Sequence, residues 1–153
     1  MKISLIAAGR LRQGPLKELA DDFQRRITLP LTVREIDTRA RKAGAAGARE
    51  LEDRFLQAIP DGAHVILLDE TGKVMTSAKF AAHLQNLRDG SLADQLVLVI
   101  GGPDGHGERL RDRANGKIAF GQMTWPHLLA RIMILEQIYR AQSIWAGSPY
   151  HRE

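Results

Sequence analysis

Apolar residues in this chain fall alternately into short unbroken runs and into helical spacing, from one end to the other. Residues 3–8 make a strand-length run. From Pro15 the positions Leu16, Leu19, Ala20, Phe23 and Ile27 recur at helical spacing until Pro30 closes the segment. Residues 31–36 read as a second strand. A connection over 38–47, rich in Gly, Ala and Arg, is the expected mobile loop; it leads to a helix carrying Leu51, Phe55, Leu56 and Ile59 that Pro60 ends. Residues 65–68 form a continuous apolar run, as expected of a strand covered on both faces. Ser77 stands where it can cap the next helix, whose core face is Phe80, Ala81, Leu84 and Leu87. Residues 96–100 are the most strand-like of all, and a short helix over 108–114, a strand over 117–120 and a long helix over 127–146 follow. This alternation predicts one α/β domain, residues 1–153, with a mostly parallel sheet.

The last helix carries Leu128, Ile132, Leu135 and Tyr139 on one face and Ile134, Ile138, Ala141 and Trp145 on a neighbouring one. A stripe that wide exceeds what one sheet contact needs, so self-association as a homodimer is expected. Composition adds a partner of another kind. The formal charge is +4, and Arg10, Arg12, Lys17, Arg25, Arg26, Arg34, Arg39, Arg41 and Lys42 crowd the first third. Such a surface is either a solvated basic face or the footprint of an anion such as nucleic acid. The absence of cysteine excludes disulfides, thiolate metal sites and a cysteine nucleophile. The five histidines, His64, His83, His106, His127 and His151, never fall three or four apart, so no metal is expected. No apolar run approaches the roughly eighteen residues of a membrane span and the N-terminal run lacks a cleavage site, which points to a cytoplasmic protein.

The chemistry concentrates after the strand at 96–100, which runs into Gly101, Gly102, Pro103, Asp104, Gly105, His106 and Gly107. Glycines this dense serve either a tight strand-to-helix turn or a backbone that comes close to a ligand, and ligands of open α/β sheets bind at the carboxyl ends of strands. A dinucleotide fingerprint would need other spacing after the first strand, and a phosphate-cradling loop would need a Gly-Lys-Ser/Thr ending. A nucleoside-type ligand without a polyphosphate fits better, its adenine between apolar walls and read by backbone groups.

Taken together, residues 98–105, the segment Met123, Thr124, Trp125, Pro126, His127 and the ending Ser148, Pro149, Tyr150, His151, Arg152, Glu153 resemble the RlmH family of SPOUT-superfamily enzymes. The resemblance covers essentially the whole chain. It departs from the family at Asp104, where many relatives carry Glu, and at Leu128, which replaces a frequent Pro. What it implies is a C-terminal trefoil knot whose loops clasp S-adenosylmethionine, and methylation of N3 of a pseudouridine in large-subunit (23S) ribosomal RNA. Family match assigns the cofactor to Leu68, Gly102, Gly121, Gln122, Met123, Thr124, Trp125 and Pro126. It also implies a homodimer with the last helices at the interface.

Methyl transfer to a ring nitrogen needs an in-line approach and a nucleophile that has lost its proton. In the tail, His151 is the expected proton acceptor, Arg152 the group for phosphate or an anionic base oxygen, and Tyr150 a stacking platform for the target base. His127 reads as structural, hydrogen-bonding at the helix start beside Pro126. The alternative to an enzyme is a non-catalytic ribosome- or RNA-binding module that keeps the fold.

Overall fold

The computed structural model describes residues 1–40, 42–90 and 94–152. Arg41 of the basic stretch and Glu153 of the tail motif lie outside the described residues. The elements run β1 (Lys2–Ala8), α1 (Pro15–Arg26), β2 (Leu31–Ile36), α2 (Gly44–Ala58), β3 (His64–Val74), α3 (Ser77–Asp89), β4 (Gln95–Ile100), α4 (Glu108–Arg113), β5 (Gly116–Ala119) and α5 (His127–Trp145). The five strands form one sheet in the order β2-β1-β4-β3-β5, every pairing parallel.

The period of two along each strand divides the core. Ile3, Leu5, Ala7, Ile66, Leu96, Leu98 and Ile100 face the helices α1, α3 and α5, while Ile6, Ala8, Val65, Leu67, Val97 and Val99 face α2 and α4. Both faces are covered, which is why β4 carries no polar residue after Gln95. Each fully buried Leu, Ile or Val contributes about 1.5–3 kcal/mol, so this double layer dominates the stability.

Three details differ from the sequence reading. Helix α2 starts at Gly44, inside the expected loop, because Ala45, Ala46 and Ala48 are strong helix formers. Thr76, not Ser77, caps α3, its Oγ1 accepting from the Lys79 amide at 3.2 Å. Strand β3 continues beyond Leu68 to Val74 with an irregular register against β5 between Leu68 and Lys73. Its polar second half hides it from an apolar pattern. Gly72 permits this extension by lying flat on β5, where a Cβ would fall 2.5 Å from the Ile118 carbonyl carbon.

Helix α5 buries Ile134, Leu135, Ile138 and Ala141 completely between α1, α3 and the sheet. Neighbours within the chain thus account for most of the stripe's width. Within the same apolar row lies Arg131, 1% exposed. It donates from Nη1 to Glu35 Oε1 at 2.6 Å and from Nη2 to the carbonyls of Ala8 and Gly9 at 2.9 and 2.8 Å. The same Glu35 oxygen accepts the Leu11 amide at 2.8 Å. One ion pair, buried at Arg131 and partly exposed at Glu35, therefore fixes the loop after β1 to both β2 and α5. Among the described residues no helix is long and apolar enough to cross a membrane.

Candidate active site

Because the strands are parallel, the loops after β3, β4 and β5 emerge at one edge of the sheet and face one another. Together with the start of α5 they enclose a cleft of ≈ 690 Å³, a size suited to a nucleoside-type ligand. Of the residues expected to hold the cofactor, Leu68, Gly102, Gly121, Met123, Thr124, Trp125 and Pro126 line it. Gln122 lies in the same loop, exposed, and is not part of the lining.

After Ile100 the chain folds back on itself, the Gly105 amide donating to the Gly102 carbonyl at 3.0 Å. A Cβ on Gly101 would lie 2.7 Å from the Gly105 oxygen, so the turn requires glycine at 101. Gly102 is less demanding. A Cβ there would meet Ala8 Cβ at 3.7 Å and Thr38 Cγ2 at 4.0 Å, ordinary contacts on the β1 and β2 side.

The loop is also fastened through His106, which sequence reasoning passed over as one more loop residue. It is 5% exposed, and its Nε2 donates to the Leu68 carbonyl at 2.9 Å. This fixes the tautomer with Nδ1 unprotonated, and Nδ1 is buried without a partner. Burial holds the imidazole below its ordinary pKa, outweighing the Leu68 hydrogen bond. The signal available in the sequence was the one neutral polar side chain set between Gly105 and Gly107.

The remaining walls meet through side chains. Thr124 Oγ1 donates to Glu70 Oε2 at 3.0 Å, linking the loop before α5 to β3, and Lys117 Nζ donates to Thr71 Oγ1 at 2.9 Å. Asp69 is opposed by burial, yet accepts from the Thr71 amide and hydroxyl at 2.9 and 2.7 Å, and the balance lowers its pKa. Asp69, Glu70 and Asp104 line the cleft against a single guanidinium, Arg111, with apolar surface from Ile100, Ile118 and Phe120. Carboxylates around an apolar slot, with no phosphate cradle, suit a nucleoside that carries positive charge.

His127 also lines the cleft, half-buried. Its pKa is lowered by burial and then by the Arg131 charge. Among the described residues no ring hydrogen bond joins it to the helix start, and the cap residue Pro126 makes no side-chain cap bond. Arg131 itself was legible as a charged residue on an apolar helical face, one turn after His127.

None of Tyr150, His151 and Arg152 lines the cleft. The tail docks instead on α5 and α1 of its own chain. Tyr150 sets its ring edge-on to Tyr139 with centroids 4.7 Å apart, donates to Glu136 Oε1 at 3.1 Å and lies under the Arg140 guanidinium at 4.8 Å. Burial and then the Glu136 bond raise its pKa. Arg140 Nη1 stands 3.3 Å from His151 Nδ1, and Arg152 is exposed. Glu136 follows His127 by nine residues of helix, which puts the tail's anchor about 13 Å along the axis from the cleft. Among the described residues, no group of three or more His, Asp or Glu side chains is placed to hold a metal.

Residues 1–151 match the family described as predicted SPOUT methyltransferase. The chain belongs to the SPOUT methyltransferase family. Similar relatives include the proteins named ribosomal RNA large subunit methyltransferase H of Rhodospirillum centenum, 47% identical over 152 residues, and of Nitrobacter winogradskyi, 47% identical over 161 residues. A third relative of the same name, from Cereibacter sphaeroides, is 43% identical over 159 residues. Each alignment covers 99% of this chain and 99% of the relative. The glycine loop, the segment before α5 and the tail therefore belong to a SPOUT methyltransferase, in agreement with the resemblance read from those three segments.

Proposed function

We propose that this SPOUT methyltransferase uses S-adenosylmethionine to methylate N3 of a pseudouridine in 23S ribosomal RNA, acting in the cytoplasm as a homodimer. The observation that carries this reading is the cleft: three loops from adjacent parallel strands close on an apolar slot rimmed by Asp69, Glu70 and Asp104. That donor set fits a molecule with an adenosine, a sulfonium and an ammonium; Arg111 is the only Arg or Lys among the described residues lining the cleft, and no Gly-Lys-Ser/Thr loop is there to cradle a polyphosphate. The methyl donor, when bound, supplies an electrophilic methyl group on sulfur. Backbone at Leu68, Gly102, Gly121, Gln122, Met123, Thr124, Trp125 and Pro126 holds it, and the carboxylates favour its positive charge. The relatives' names supply the RNA substrate.

On the RNA side, N3–H of the target ring must lose its proton as the methyl moves from sulfur to nitrogen. His151 accepts that proton, Arg152 binds phosphate or the developing charge on the base oxygens, and Tyr150 stacks on the ring. Since the tail docks about 13 Å along α5 from the cleft of its own chain, it acts on the cleft of a partner protomer. The exposed Val74 and Leu129, which flank the cleft and α5, are the surface such a partner covers. A C-terminal trefoil knot, as the family resemblance implies, belongs to the same reading.

Calorimetric titration tests the cofactor. S-adenosylmethionine is expected to bind the wild type at one site per chain, and Gly101→Ala, which drives a methyl group into the Gly105 carbonyl, is expected to weaken binding at least tenfold. A wild type that takes up none would leave only the RNA-binding module.

A further inference from the structure

The basic first third of the sequence and the cleft, separate in the chain, meet at the same edge of the sheet. In the order β2-β1-β4-β3-β5, the strand beside the glycine-loop strand is β1, and β2 lies beyond it. Their carboxyl-end loops therefore stand next to the glycine loop on the side away from Asp69 and Glu70. Direct neighbours confirm the adjacency: the Cβ position of Gly102 faces Ala8 and Thr38, and that of Gly9 lies 3.6 Å from His127 Nε2.

Both loops are held from below. Arg131 and Glu35 grip the first through the carbonyls of Ala8 and Gly9 and the Leu11 amide. With Leu11 buried and anchored, Arg10 and Arg12 on either side of it are exposed. Arg54 from α2 grips the second, donating to the carbonyls of Asp37 and Arg39 at 2.6 and 3.0 Å. Lys42 follows, exposed. The carboxylates close to these loops are already engaged, Glu35 by Arg131 and Asp37 by Arg39. Arg10, Arg12 and Lys42 have no carboxylate partner among the described residues. On the β3 side Asp69 and Glu70 line the cleft and Lys117 donates to Thr71, while Arg111 is the only Arg or Lys among the described lining residues. One wall is thus cationic on anchored backbone and the other mixed to acidic, an arrangement that admits a polyanion from one side only.

We propose that the loops after β1 and β2 form the RNA-guiding wall of the cleft, Arg10, Arg12 and Lys42 taking phosphates of the ribosomal RNA strand as its target base enters. This rests on the reading of the cleft as a methyl-transfer site on RNA. It gives a role to the charge excess that the glycine loop and the tail leave unexplained.

The test is sedimentation binding to ribosomes purified from cells lacking this protein, across a potassium chloride series and without cofactor. Arg10→Ala/Arg12→Ala/Lys42→Ala is compared with Lys2→Ala/Arg25→Ala, whose charges lie at the opposite edge of the sheet. The first variant is expected to bind at least tenfold more weakly at moderate salt. Its slope of log affinity against log salt should be shallower by about 2, three phosphates at roughly 0.7 each. The control should match wild type, and cofactor affinity should be unchanged in both. Wild-type affinity and slope in the triple variant, or an equal loss in the control, would overturn the proposal. Methyl transfer by the wild type is scored separately, so an inactive protein that still binds through this wall would refute the enzymatic reading alone.

Discussion

The imidazole Nε2 of His106 stands 2.9 Å from the carbonyl oxygen of Leu68 and donates to it. This bond joins the glycine loop after β4 to the end of β3, two of the three walls of the cleft.

Removing it in His106→Ala costs a buried hydrogen bond, about 1–3 kcal/mol of stability, and should weaken cofactor binding by roughly tenfold as the two loops separate. His106→Gln, whose amide N–H reaches the same carbonyl, is expected to restore binding; calorimetry that finds Gln no better than Ala would remove the positioning role. Acid should have a related effect. His106, His64, His83 and His127 are all held below the ordinary 6.5 by burial. Below pH 6.5 the unfolded chain therefore takes up protons that the folded chain refuses. Stability is full above that pH and declines as pH falls through the window beneath it. Urea midpoints measured from pH 7.5 to 5 check the sign, and His106→Gln should flatten the decline.

Arg131 is the only Arg or Lys buried among the described residues, and its pairing with Glu35 spans β2, the β1 loop and α5. Arg131→Met should lower the unfolding free energy by about 2–4 kcal/mol, since it strands the carbonyls of Ala8 and Gly9. Glu35→Gln should cost less, because Gln still accepts from Arg131 and the side chain is 33% exposed. Denaturant titrations that rank the two the other way would place the anchor on Glu35.

The docked tail makes a sharper demand. A chain lacking residues 150–153 should lose methyl transfer while keeping cofactor affinity within a few-fold. Mixed with a Gly101→Val chain, itself inactive, it should recover activity, because a mixed dimer pairs an intact cleft with an intact tail from the partner. Failure of the mixture to recover would confine the tail to its own chain, and activity in the truncated chain alone would remove the tail from the reaction.

Much of this was legible in the amino-acid sequence. The segments at 3–8, 31–36 and 96–100 gave three strands to within a residue: the first and third because a strand buried on both faces leaves few other readings for consecutive apolar residues, the edge strand at 31–36 because Leu31 and Val33 alternate with polar residues. Glycine density marked the right loop, because backbone proximity leaves a compositional trace. What it could not mark was which glycine bears the constraint. Gly101 is fixed by the Gly105 carbonyl, a contact across a turn that sequence spacing does not reveal. The second half of β3 was invisible because residues 69–73 carry no apolar side chain and the register against β5 breaks between Leu68 and Lys73. Helix periodicity gave the faces of α5 but not their occupants: α1 and α3 cover most of what looked like a surface for a second copy. Arg131 and His106 were visible as residues and not as roles, since their partners are backbone carbonyls far away in sequence.

The central claim is that the cleft at the ends of β3, β4 and β5 passes a methyl group to ribosomal RNA. Mass spectrometry of 23S RNA fragments answers it most directly, using ribosomes from cells lacking this protein, incubated with the purified chain and S-adenosylmethionine. The account predicts one added methyl group, on a fragment containing pseudouridine and on its N3, with none added by the Gly101→Ala chain. An RNA left at its starting mass by wild-type protein that binds both cofactor and ribosome, or a methyl group placed on another base, would contradict it.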